Sequence, residues 1–161
     1  MVNTHSSAGF RQLHFESIDD VLAEVDRIEQ ADADGTLNTN GNWKAGQILA
    51  HLAAWIDYAY DGFPMKPAPG VLRWILRLRL NKMLNGRMPR GVKIPGIKGG
   101  TTGADDLPVG AAAEKLRKAL SRLRSDEVAR HPSPAFGMLT HEQRVKLNLR
   151  HAELHMGYLE Y

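Results

Sequence analysis

Four stretches of this chain repeat apolar residues every three or four positions, and that period confines it to helices. In the first, about Ile18 to Ala31, the residues Ile18, Val21, Leu22, Val25 and Ile28 make one stripe. Ser17 stands before it as an N-cap, and Asp19 and Asp20 suit its first turn. The second, about Trp43 to Asp61, turns Ile48, Leu52 and Trp55 inward, with Asn42 as its cap and Gly62 and Pro64 as its stop. The third, about Val109 to Arg124, places Leu116, Leu120 and Leu123 on one side. The fourth opens at Thr140, which with Gln143 forms the Thr-x-x-Gln pattern of a capping box. It is expected to run to near the C-terminus with Leu147, Leu154 and Tyr158 inward. Only Val92 and Ile94 hint at extended structure, and two residues make no sheet.

The fold class expected is therefore all-α: a helical bundle with a long crossover between its second and third helices. A length of 161 residues suits one domain with a sizeable core. We expect that domain over residues 10–161, after a flexible tail at 1–9.

The crossover has an unusual charge. From Gly62 to Ala104 there are nine basic residues and no acid, which leaves twelve basic against eighteen acidic residues elsewhere. An anionic partner is one reading of this asymmetry; a solvated surface is the other. The segment holds a predicted short helix, Val71 to Leu84. After it comes a Gly- and Pro-rich loop, Asn85 to Gly103, long enough to act as a lid near a functional site. Its arginines do not gather on one face when that whole helix is projected, which argues against a membrane-surface helix; a cap or dimer contact is the plainer role. No stretch reaches the length of a transmembrane span, and no apolar run near Met1 suggests a signal peptide, so a cytoplasmic location is expected. Nucleic-acid binding is not expected, because no recognised motif accompanies the basic residues.

The chain contains no cysteine, so any thiol chemistry must use a thiol brought by a small molecule. Histidine carries the candidate chemistry instead. His151 and His155 are spaced i, i+4, which stacks both imidazoles on one helix face within reach of a single ion. His51 lies three residues after Ile48 and four before Trp55, also on an apolar stripe. Facing helices of a bundle can bring the three together, leaving coordination positions open as in catalytic metal sites. Hydrogen-bonded core histidines are the plainer alternative. Gln47, one turn before His51, could orient a ligand or serve structure alone. Glu153 does not complete a His-Glu-x-x-His motif, since Ala152 stands where the glutamate is needed, and it reads as a solvated residue. His5, His14, His131 and His141 read as surface or turn residues.

Three stretches carry a resemblance: Asn42 to Leu52, His131 to Thr140, and His151-x-x-x-His155. In these the chain resembles the DinB/YfiT-like superfamily of metal-dependent bundle proteins. The basic insertion and Trp55 to Tyr58 look like a branch catalogued as a domain of unknown function. The resemblance implies an up-down-down-up four-helix bundle with the basic helix-plus-loop insertion between helices 2 and 3. It implies that His51, His151 and His155 hold a divalent ion, nickel or zinc. It further implies a thiol-dependent transferase or isomerase using a low-molecular-weight thiol. The expected function is thus a metal-dependent enzyme acting on a small, anionic substrate. The alternative is a non-enzymatic metal- or ligand-binding bundle or dimerisation module, with a homodimer as a candidate assembly.

Overall fold

A computed structural model describes residues 9–94, 96–97 and 99–161. The expected tail, Gly9 apart, lies outside the described residues. The structure is mostly helical. In chain order it runs α1 (Ile18–Ala33), β1 (Asn38–Thr39), α2 (Ala45–Asp61), α3 (Gly70–Leu78), α4 (Leu80–Asn85), α5 (Val109–Arg124), α6 (His141–Met156) and β2 (Leu159–Glu160).

Local chemistry fixes the helix starts. The Ser17 hydroxyl accepts from the Asp20 backbone N–H at 3.2 Å, and the Asp20 carboxylate accepts from Ser17 N–H at 2.8 Å. Thr140 and Gln143 repeat this exchange at the start of α6. The third periodic segment becomes α5 with the bounds expected.

α2 differs from expectation. It begins at Ala45 rather than Trp43, and Asn42 is not its cap. Lys44 takes that position, its N–H donating to the Gln47 side-chain oxygen at 3.0 Å. Trp43 stays outside the helix because its indole packs against the histidines described below.

α1, α2, α5 and α6 share one apolar core in which Val25, Ile28, Ile48, Leu49, Leu116, Leu123 and Met156 are fully buried. The most extensive packing is between α2 and α5. Both helices bury small side chains, Ala50 and Ala53 on one and Ala112 and Ala113 on the other. Glycine permits a close approach. A Cβ on Gly46 would lie 1.9 Å from the Leu107 carbonyl oxygen, so the segment leading into α5 is pressed onto the first turn of α2.

α6 ends at Met156, near the C-terminus as expected, and Tyr158 is buried just beyond the helix rather than on it. A side chain at Gly157 would strike Phe10 and the Arg11 carbonyl, and the chain turns there into β2, which pairs antiparallel with β1. The buried residues of α6 include Leu149, Ala152 and Met156. Leu147 instead joins a second cluster with Leu80, Leu84, Phe136 and Leu139. Leu154 lies half-buried along a cleft with Phe10 and Met88. The core position expected for each passes to neighbours on the helix, because His151 and His155 occupy part of the inward face.

The basic segment forms two helices, not one, with the break at Arg79. Val92 and Ile94 are not in a strand.

Candidate metal centre

Three histidines meet where α2 faces α6. His51, in the middle of α2, is 1% exposed. His151 and His155, one turn apart on α6, are half-buried. One ring nitrogen from each can be chosen so that all three lie within 4.8 Å of one another, a spacing that could hold a metal ion. The ring centroids are 4.6 Å apart for His51–His155 and His151–His155, and 5.0 Å for His51–His151. Of the sequence candidates, the structure brings all three together.

The protein also sets which nitrogen of His51 faces the others. Its Nδ1 is 2.8 Å from the carbonyl oxygen of Thr102. A carbonyl only accepts, so Nδ1 carries the proton and Nε2 is left with its lone pair. That Nε2 lies 3.2 Å from Nε2 of His151. The Thr102 carbonyl accepts a second bond from Trp55 Nε1 at 3.3 Å, and Gln47 Nε2 reaches the Ala104 carbonyl at 3.4 Å. The end of the Gly/Pro-rich loop is thus seated on the histidine face of α2. Gly103 makes this possible, because it sits at φ +80° and a Cβ there would lie 2.6 Å from that of Ala54.

Aromatic rings close the sides. The Trp43 indole stacks on His155 at 5.4 Å and 10°, and meets His51 edge-on at 4.9 Å. Trp55 lies 5.7 Å from His151. Burial among these rings disfavours the imidazolium. It holds His51 down to about 4, against the weaker opposing pull of the Thr102 carbonyl. Burial, reinforced by the neighbouring imidazoles, also holds His151 and His155 well below the ordinary histidine value. At neutral pH all three are neutral bases, the form that ligates metal.

A family profile matches residues 8–161. The chain belongs to the DUF1569 family, described as "Protein of unknown function". No curated protein and no solved structure matches it.

The other candidate residues of this DUF1569 chain fall outside the cluster. Gln47 caps α2 and holds the loop, so its amide is spent on structure. Glu153 is not solvated, as its polar character suggested. It is buried, accepts from Phe15 N–H at 2.7 Å and pairs with Arg150 at 2.9 Å. His14 is at the surface, as expected, and its ring reaches to 3.3 Å from the Glu153 carboxylate. His141 is exposed at the first residue of α6. His131 lies beside Gly62. His5 lies outside the described residues. Sequence reasoning missed Thr102, whose partner His51 is 51 positions away and whose loop carries no local signal. It also missed the part played by Trp43, although that residue lies within the stretch carrying the family resemblance.

Proposed function

We propose that His51, His151 and His155 hold one divalent metal ion, nickel or zinc, and that the protein is a metal-dependent enzyme acting on a small, anionic molecule with an exogenous thiol. The observation that carries this reading is the Thr102 carbonyl. It fixes the His51 tautomer and so aims a lone pair toward the other two imidazoles, the arrangement by which outer groups orient ligating histidines. The donor set suits such an ion: three neutral nitrogens, low basicity toward protons, and no thiolate or carboxylate to close the site. The Thr102 hydroxyl, buried and without a hydrogen-bond partner among the described residues, offers a further polar group at this wall.

In this reading α1, α2, α5 and α6 form the up-down-down-up bundle of the DinB/YfiT-like superfamily, as one domain over residues 10–161, and the protein works in the cytoplasm. When bound, the metal supplies a Lewis acid that lowers the pKa of a thiol or water. The chain's own residues do the rest. His51, His151 and His155 present their lone pairs. Thr102 keeps the His51 proton on Nδ1. Trp43 and Trp55 shield the imidazoles from water. The basic segment around the loop attracts anionic substrates.

A second reading rests on one distance. The 3.2 Å between the two Nε2 atoms is also that of a hydrogen bond from His151 to His51, which would make the cluster structural and the protein a non-enzymatic bundle. Calorimetric titration of zinc and of nickel into chelator-treated protein separates the two. The metal reading expects one ion per chain, binding weakened at least about tenfold in His155→Ala, and binding unchanged in His141→Ala. Equal binding by wild type and His155→Ala would remove the site and leave the structural reading.

A further inference from the structure

α3 is short, and it carries its apolar side the wrong way round for a helix of a folded protein. Val71, Trp74, Ile75 and Leu78 stand at i, i+3, i+4 and i+7 and form one stripe, with Leu72 beside it. All five face solvent, at 75%, 64%, 43%, 66% and 44% exposed. The opposite side is the anchored one. Arg77 donates to the carbonyl of Phe136 at 3.0 Å and also to that of Met138, and Leu76 packs on the cluster of Leu80, Leu84, Phe136 and Leu139. The side chain of Arg73 lies along Gly137. The break at Arg79 corrects the projection made for a single longer helix: within α3 itself, Arg73 and Arg77 are four residues apart and share the side opposite the stripe.

We infer that the apolar face of α3 docks on an anionic lipid bilayer. Charge decides the occupant. The described residues between Gly62 and Ala104 include no acid, and Lys66, Arg79, Lys82, Arg87 and Lys93 are exposed among them. A second copy seated on this face across a two-fold axis would set one acid-free basic segment against another. An anionic bilayer instead takes up the stripe at the boundary of its acyl chains and offers its headgroups to the exposed lysines and arginines of this segment. Trp74 is the side-chain type that settles at that boundary. The described residues contain no helix long and apolar enough to cross a membrane, so α3 lies in the surface plane. This inference does not depend on the histidine cluster.

The test is co-sedimentation of the full chain with vesicles of phosphatidylcholine alone and with about 30% phosphatidylserine, at low and high salt. Wild type is expected to pellet with the anionic vesicles, at least tenfold less with the neutral ones, and less in high salt. Ile75→Asp/Leu78→Asp removes the apolar contact, and Arg79→Glu/Lys82→Glu reverses two exposed charges while leaving the stripe intact. Each is expected to lower the bound fraction at least tenfold with far-UV dichroism unchanged. Wild type remaining in the supernatant, or pelleting as both variants do, overturns the inference. So does a dimer, seen by light scattering, that Ile75→Asp/Leu78→Asp dissociates, since that would assign the face to a second copy.

Discussion

α2 and α3 both carry an apolar stripe, and the protein turns one inward and the other outward. The stripe of α2 runs through the core and delivers His51 to the other two imidazoles. The stripe of α3 meets solvent. Hydrophobicity alone does not explain the difference, since α3 is the more sharply two-sided helix. The partners of the polar side do. On α3 the backbone carbonyls of Phe136 and Met138 accept from the Arg77 guanidinium, and these bonds hold that side of the helix to the protein. On α2 the buried imidazole of His51 is met by the loop carbonyl of Thr102.

Truncations should separate the two helices most. Leu49→Ala, in a fully buried position of α2, is expected to cost about 2–5 kcal/mol in chemical denaturation. Leu78→Ala on α3 should stay within about 0.5 kcal/mol. A loss above about 2 kcal/mol for Leu78→Ala would mean that the α3 stripe is already covered in the isolated chain.

Acid should act through the buried histidines of α2 and α6 and not through α3. His51 is held down to about 4, whereas an unfolded histidine titrates at about 6.5. Between those values the unfolded state binds more protons, so the metal-free protein loses stability as the pH falls from about 6.5 toward 4. For His51 alone the gap corresponds to about 3 kcal/mol. Thermal unfolding followed over this range should show a slope that His51→Phe reduces. An unchanged slope in that variant would show that the pH response arises elsewhere. The same lowered basicity should let a bound ion persist to a lower pH than a free imidazole would allow.

The seat of the loop should matter to the site and the start of α3 should not. Gly103→Ala sets a side chain against Ala54 at a positive φ, and is expected to cost about 1–3 kcal/mol and to weaken zinc binding by displacing Thr102. Gly70→Ala, at the start of α3, meets nothing within 4 Å and should leave zinc binding unchanged. Calorimetry on both variants would show whether the loop supports the site.

The smallest effect belongs to a helix cap. Thr140→Ala should cost about 1 kcal/mol in thermal or chemical unfolding, because α6 loses the bond to Gln143 N–H. Its zinc affinity should stay near wild type if the core, rather than the cap, positions His151 and His155.

What could be read from the sequence divides along the range of the interactions. Short-range signals were faithful: the period of α5, the Ser17 and Thr140 caps, and the i, i+4 pair on α6. His51 was legible because it interrupts an apolar stripe in a way that neighbouring residues reveal. The errors lie where a distant group decides. Trp43 leaves α2 to stack on a histidine of α6. Glu153 is buried because Phe15 N–H and Arg150 satisfy it. Tyr158 falls beyond α6 because the segment before α1 crosses the helix end at Gly157. Nothing near Thr102 in the chain marks it as the group that orients His51. The outward turn of α3 was equally hidden, since it depends on carbonyls sixty residues away.

The bond from His51 to Thr102 joins two equilibria that would otherwise be separate. One is the choice of ring nitrogen that carries the proton; the other is the seating of the loop. A lifted loop returns the imidazole to a mixture of tautomers, only part of which presents Nε2 as a base. Anything that binds at Nε2 must therefore hold the loop down, and a mutation that lowers the seated fraction of the loop must weaken that binding. Reciprocity of this kind makes backbone amide exchange around residue 102 a reporter of what happens on the far side of the ring.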